Sequence, residues 1–346
     1  MVKEANLAQL GQFDEIIDVR SPSEFAEDHI PGALNFPVLD DEERARIGTM
    51  YKQVSPFDAK KAGAALVSRN IGRHLEQAFA SKPKNWRPLV YCWRGGKRSG
   101  SMAHVLDQVG WHTGQLDGGY KAYRRQVLED LQTLPARFQW RVVCGATGSG
   151  KSRLLQALHA AGAQVLDLED LANHRGSLLG NLPGTPQPGQ KYFESLIWSK
   201  LHHFDPALPV YVEAESKKIG NVRVPEALIA AMWQSQCIRV EASIAQRAGL
   251  LKEEYAHFLA DPDELGNKLG FLADLHGKER IARWQQMAQD GEWDTLVAEL
   301  LERHYDPAYT RSTLKHYPLY NEGLILQPQS LSAEAMEKAA QELLRP

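Results

Sequence analysis

Pro88-Leu-Val-Tyr-Cys-Trp-Arg-Gly-Gly-Lys-Arg-Ser-Gly-Ser101 decides the reading of the first half of the chain. The apolar run Leu89–Tyr91 reads as a buried strand and ends at a single cysteine, Cys92. A glycine-bearing loop follows, then an amphipathic helix that begins near Arg98. Such a turn aims successive backbone N–H groups at one point, and the helix N-terminus adds partial positive charge. Both favour a thiolate over a thiol, which makes Cys92 the candidate nucleophile. Arg94, Lys97 and Arg98 add cationic charge beside it. The competing reading is a small residue packed at a strand end, and the basic and glycine neighbours weigh against it.

Working outward, Glu15–Val19 is a short buried strand, and Ser21-Pro-Ser-Glu24 has the capping-box spacing that starts a short helix. His29-Ile-Pro-Gly-Ala33 then turns into a second strand, and residues 60–80 read as helical. After the cysteine loop come a helix to about Val109, a strand over Trp111–Leu116, and Asp117-Gly-Gly-Tyr120 leading into a last helix. Short strands alternating with helices imply a mainly parallel sheet covered on both faces. Residues 39–75, with Asp40-Asp-Glu-Glu43 and Tyr51-Lys-Gln53, read as an insertion with a solvated charged face, substrate contact being the alternative. The proline-bearing link Thr133-Leu-Pro-Ala-Arg137 marks the boundary, giving domains 1–133 and 138–346.

The second half opens on the strand Phe138–Cys144 and then Gly145-Ala-Thr-Gly-Ser-Gly-Lys-Ser152, a complete Gly-x4-Gly-Lys-Ser motif ahead of a helical Arg153–Ala161. In this P-loop the backbone of Gly145, Thr147, Gly148, Ser149 and Gly150 wraps phosphate oxygens. Lys151 supplies a point charge and Ser152 a ligand for Mg²⁺, the expected metal. The motif recognises a di- or triphosphate, not a base or a reaction. The next strand, Gln164–Leu168, places Asp167, Glu169 and Asp170 near the loop mouth. Leu208–Glu213 reads as the Walker B strand, with Glu213 or Glu215 serving the metal or standing merely as a strand-end carboxylate. Arg247, after the strand Ile238–Glu241, is either a lid arginine over the phosphates or surface charge. His174 and Arg175, in the polar cluster His174-Arg-Gly-Ser177, are candidate substrate contacts. Cys144 and Cys237, on strands, read as packed small residues.

A length of 346 residues allows two domains, each with its own core, and a formal charge of −3 neither demands nor excludes nucleic acid. Candidate phosphate contacts for RNA are therefore local: Arg69, Arg73 and His74, and Lys217, Lys218 and Arg223, with a solvated face as the alternative for each group. Three cysteines without paired or metal-ligand spacing fit a reducing cytoplasm. The opening Met1–Leu7 lacks an apolar signal core, and no stretch could span a bilayer, so no membrane partner is expected. No organic prosthetic group is expected either. Ala288–Tyr305 reads as structural packing, and Ser332–Leu344 as an amphipathic helix capping the domain.

Asp18-Val-Arg20, Glu24-Phe25, His29-Ile-Pro-Gly-Ala33, the cysteine loop and Leu116-Asp-Gly-Gly-Tyr120 resemble a rhodanese domain, in order, over roughly residues 5–130. Many single-domain sulfurtransferases of that family place the loop arginine five residues after the cysteine. Here that place holds Lys97, with Arg98 one residue later, as in the Cys-x5-Arg loops of cysteine phosphatases and arsenate reductases. The longer loop is a wider anion cradle, fit for a phosphate-sized oxyanion. Joined to the P-loop half, with Gln190-Lys-Tyr-Phe-Glu194, Glu213–Gly220 and His304-Tyr-Asp-Pro-Ala-Tyr309, the chain resembles the bacterial tRNA 2-selenouridine synthases.

That resemblance implies an α/β chain, a rhodanese-like domain followed by a P-loop NTPase-like doubly wound parallel sheet with a C-terminal helical extension. It implies a selenium- and prenyl-transferring enzyme acting on the wobble 2-thiouridine of tRNA. Such enzymes use geranyl diphosphate to form an S-geranyl intermediate, then replace that group with selenium from selenophosphate. Two rivals stand beside it: a sulfurtransferase or cysteine phosphatase fused to a P-loop small-molecule kinase without tRNA, and a nucleotide-gated binding module whose cysteine is incidental.

Overall fold

The computed structural model describes residues 2–177, 179–182 and 184–345; the domain ends Met1 and Pro346, with Leu178 and Pro183, lie outside the described residues. The chain divides into two compact units, one of Met1–Asp130 with Gly189–Ser199, the other of Leu131–Pro188 with Lys200–Pro346. Residues 189–199 thus group with the first unit rather than with the rest of 138–346. Ser195 Oγ donates to Asp28 at 2.7 Å, Trp198 Nε1 donates to Asp130 at 2.7 Å, and Glu194 pairs with Arg124.

In the first unit the strands are β1 (Lys3–Ala5), β2 (Glu15–Asp18), β3 (Leu34–Asn35), β4 (Pro88–Tyr91) and β5 (Gly114–Leu116). They form a parallel sheet in the order β1-β5-β4-β2-β3. β4 is central and buried along its whole length, as its unbroken apolar run demands. The strand read at Trp111–Leu116 starts later, at Gly114, and Trp111 instead joins the core with Val90, Met102 and Leu106.

Beneath the carboxyl ends of these strands lies a buried polar network. Arg20, 1% exposed, donates from Nε and Nη2 to Asp18 at 2.9 and 2.6 Å, and from Nη2 to the Asp28 carbonyl at 2.6 Å. Its guanidinium lies 4.0 Å from the Tyr120 ring centroid, and the Tyr120 hydroxyl donates to Asp28 at 2.8 Å. Removing one member of such a buried pair costs about 3–5 kcal/mol. The Asp18-Val-Arg20 and Tyr120 motifs therefore act on the architecture under the cysteine loop.

The insertion is two helices, Asp41–Gln53 and Pro56–His74. Part of its acidic face is engaged: Asp41 accepts from Ser23 Oγ at 2.5 Å, and Glu43 accepts from Asn70 at 2.8 Å. Arg69 and Arg73 are exposed. His74, grouped with them above, is corrected to a packing residue: it is half-buried, its Nε2–H donates to the Pro37 carbonyl at 2.9 Å, and its ring meets Phe36 edge-on.

The second unit holds β6 (Gln139–Cys144), β7 (Gln164–Leu166), β8 (Pro209–Glu213), the antiparallel pair β9 (Lys218–Ile219) and β10 (Val222–Arg223), β11 (Gln236–Val240) and β12 (Leu324–Leu326). Its five-stranded parallel sheet runs β12-β11-β6-β8-β7. The order reverses at β6, so a crevice opens at the carboxyl ends of β6 and β8. The helix Ala333–Leu343 lays Met336, Ala339 and Ala340 against Leu154, Leu155 and Leu158 of the helix Lys151–Ala160, the cap read from its pattern. No helix of the described residues is long and apolar enough to cross a membrane.

Candidate active site

In the first unit Cys92 follows β4 and is 4% exposed. Residues 93–96 form the loop, and the helix Lys97–Val109 starts at once, so the sulfur sits at a helix N-terminus. Ser99 Oγ donates to Cys92 Sγ at 3.2 Å. Gln115 Nε2 in turn donates to Ser99 Oγ at 3.0 Å and to the Gly95 carbonyl at 2.6 Å. Gln115 and Ser99 were not singled out by the sequence reading, because a glutamine two residues before Asp117 carries no motif.

The turn after β5 closes the loop from behind. Tyr120 N–H donates to the Cys92 carbonyl at 2.8 Å, and Lys121 N–H to the Trp93 carbonyl at 2.9 Å. Gly119 has φ +54°, and a Cβ there would collide with the Cys92 carbonyl oxygen. Gly119→Ala should therefore destabilise the protein by about 2–4 kcal/mol in urea unfolding. Gly11→Ala, whose Cβ meets open space, should stay within about 0.5 kcal/mol.

Arg98 points at Glu24: its Nη1 donates to Glu24 Oε2 at 2.9 Å, and Arg44 pairs with the same carboxylate at 2.9 Å. Burial would raise Glu24, but Arg98 and Arg44 outweigh it and hold its carboxyl below the usual range. Around the loop the exposed cations are Arg94 and Lys97.

In the second unit β6 ends at Cys144, and the P-loop turns into the helix Lys151–Ala160. Gly148 and Gly150 take φ +77° and +86°, as the wrapping backbone requires. Lys151 Nζ donates to the Gly145 carbonyl at 3.0 Å, and Gly145 N–H donates to the Tyr309 hydroxyl at 2.6 Å. Both roles offered for Arg247 are corrected. It is 5% exposed, its Nε donates to the Thr147 carbonyl at 2.8 Å, and its Nη atoms hold Asp306 at 2.9 and 2.5 Å. Arg247 braces the P-loop backbone; it is neither a lid nor surface charge.

The P-loop opens into a cavity of about 550 Å³. Asp167, Glu169, Asp170, His174, Arg175 and Glu215 all line it, gathered from chain segments as the strand order allows. His174 is buried; its Nδ1 accepts from Gly176 N–H at 3.1 Å, and burial lowers its pKa. Arg175 donates to the Glu254 carbonyl at 2.6 Å and lies over the Tyr255 ring. Asp167 caps the helix Leu168–Leu171 through Asp170 N–H. Lys217, Lys218 and Arg223 are exposed around the β9–β10 hairpin.

Glu169, Glu213 and Glu215 each bring a carboxylate oxygen within 4.8 Å of the others, and Glu169 lies 3.5 Å from Ser152 Oγ. Glu213 is 1% exposed and neither of its oxygens has a hydrogen-bond partner. Burial, then repulsion from Glu169 and Glu215, pushes its carboxyl far up. Burial chiefly raises Glu215 to about 8 and Glu169 to about 7. Such a trio beside a P-loop serine is what a hard divalent cation neutralises, so the residues fit Mg²⁺.

The sign of the pH effect follows. These acids bind protons more tightly folded than unfolded, so their contribution to stability is fully present below the ordinary value of 4.5 and is lost as pH rises from there through about 7–8. Without divalent cations the Tm should fall between about pH 5 and 8, and Mg²⁺ should restore it at the alkaline end. A Tm flat with pH in the presence of a chelator would contradict this account of the trio.

Among family models, the one described as a rhodanese-like domain matches residues 3–126. The one described as the tRNA 2-selenouridine synthase AAA domain matches residues 138–274. A tRNA 2-selenouridine synthase from Marinobacter nauticus is 36% identical, the match covering 85% of this chain and 87% of that protein. The Aeromonas salmonicida protein of the same name is 35% identical, covering 85% and 86%. The Nitrosomonas europaea one is 37% identical over 69% of this chain, and that match spans 63% of the relative's length.

Proposed function

The chain belongs to the tRNA 2-selenouridine synthase family, and from that premise we propose how its two sites divide a transferase reaction. The substrate is the wobble 2-thiouridine of tRNA. The P-loop cavity takes geranyl diphosphate and directs S-geranylation; the Cys92 loop serves the exchange of that group for selenium from selenophosphate. The protein works in the cytoplasm, where its three unpaired cysteines stay reduced.

The observation that carries this reading is the buried, unpartnered Glu213 carboxyl in the trio beside the P-loop, which supports a diphosphate and a cation bound together. Ser152, Glu169, Glu213 and Glu215 are the residues that would hold Mg²⁺. When bound, the ion supplies positive charge to a departing pyrophosphate. Lys151, bonded to a carbonyl of its own loop, is the side-chain cation available to the same group. The loop amides hold the phosphate oxygens and Arg247 keeps that backbone in place. Geranylation turns the thiocarbonyl sulfur of the nucleoside into a good leaving group. Cys92, with Ser99 donating to its sulfur, is the residue that carries or presents selenium for the exchange.

With Mg²⁺, the purified protein should bind geranyl diphosphate in a calorimeter and show negligible steady ATP hydrolysis. Robust, tRNA-independent ATP turnover would sink this reading in favour of a P-loop kinase.

A further inference from the structure

We propose that an apolar cavity beside the P-loop seats the far end of the isoprenoid tail of the P-loop's ligand. The inference rests on the reading that this P-loop takes a diphosphate ester, and it assigns the residues that select the tail.

The cavity measures about 70 Å³ and is walled by Leu259, Leu265, Leu296, Val297 and Leu300. It shares Thr147, Ser177, Leu251, Tyr255 and Tyr305 with the phosphate cavity, so the two adjoin at the P-loop. Lys252 also reaches this wall, but its ammonium is held by Asp294 at 2.5 Å, leaving its methylene stem to the cavity. A nucleobase has polar ring edges that need partners, whereas the far wall is leucine and valine and the polar side chains Thr147, Ser177, Tyr255 and Tyr305 lie on the side shared with the phosphate cavity. A branched hydrocarbon needs only apolar area.

Volume narrows the choice further. About 70 Å³ holds roughly five water-sized groups. That matches one isoprene unit, the distal half of a ten-carbon chain, with the proximal half crossing the shared mouth at Leu251 and Tyr305. One helix of this wall, Trp293–Leu300, lies in the run Ala288–Tyr305 that reads from sequence as packing.

The test is calorimetric titration of the full chain, with Mg²⁺, by inorganic pyrophosphate, geranyl diphosphate, farnesyl diphosphate and ATP. Geranyl diphosphate should bind roughly 10²-fold or more tightly than pyrophosphate, the effect of burying several carbons. Val297 is half-buried, so Val297→Phe fills the cavity from its rim. It should weaken geranyl diphosphate at least tenfold and leave pyrophosphate within about twofold. Val297→Ala should raise the ratio of farnesyl to geranyl affinity. Equal affinity of wild type for geranyl diphosphate and pyrophosphate overturns the tail site while the diphosphate reading stands. Failure of every diphosphate to bind overturns the reading beneath it, and ATP binding more tightly than geranyl diphosphate overturns both. If Val297→Phe loses pyrophosphate as well, the ratio in Val297→Ala decides, and an unchanged ratio overturns the tail site.

Discussion

Lys151→Ala should slow geranylation of tRNA by about 10²–10³, because it removes the one P-loop cation that can meet the charge developing on the departing diphosphate. The loop itself should survive. Gly148 and Gly150 keep their positive φ, Arg247 still holds the Thr147 carbonyl, and Tyr309 still accepts from Gly145 N–H. The bond lost, from Lys151 Nζ to the Gly145 carbonyl, is partly exposed, so its removal costs about 1 kcal/mol. Pyrophosphate release under single-turnover conditions measures the rate, and the Tm reports the fold. A rate within tenfold of wild type, at unchanged Tm, would remove Lys151 from the chemistry.

Cys92→Ser should reduce selenium incorporation to background, a loss on the order of 10³ or more, since the hydroxyl is a far weaker nucleophile at neutral pH. The substitution is nearly isosteric at a site 4% exposed. Ser99 keeps its place through Gln115, and the loop keeps its bonds from Tyr120 and Lys121. Geranylation should proceed at the wild-type rate, because the P-loop and the carboxylate trio are untouched. Selenium incorporation that survives the substitution would reduce Cys92 to a packed residue.

Both loops were legible in the sequence because their chemistry is local. A strand, a short glycine-bearing turn and a helix start lie within fifteen or so residues, and the backbone does most of the work. What holds those loops was not legible, because the partners are remote in the chain. Arg247 reads as lid or surface until Asp306 and Thr147, 59 and 100 residues away, are brought to its guanidinium. Tyr309 meets Gly145 across 164 residues, although the run His304–Tyr309 was noticed as a motif. The return of 189–199 to the first unit depends on Ser195 meeting Asp28, 167 residues earlier, inside a helix whose sequence shows no break. β1 and β12 span three residues each and carry no alternating pattern long enough to read. The carboxylates sat closer to the limit of legibility. Glu169 follows β7 and Glu213 ends the neighbouring strand β8, so their meeting follows once the strand order is known. The strand order itself is a tertiary fact.

Mass spectrometry of the wobble nucleoside tests the division of labour most directly. Lys151→Ala and Cys92→Ser are each incubated with 2-thiouridine tRNA, geranyl diphosphate, selenophosphate and Mg²⁺. The account predicts two different stalled species: unmodified 2-thiouridine with Lys151→Ala, and S-geranyl-2-thiouridine with Cys92→Ser. Recovery of the same species from both variants would contradict it.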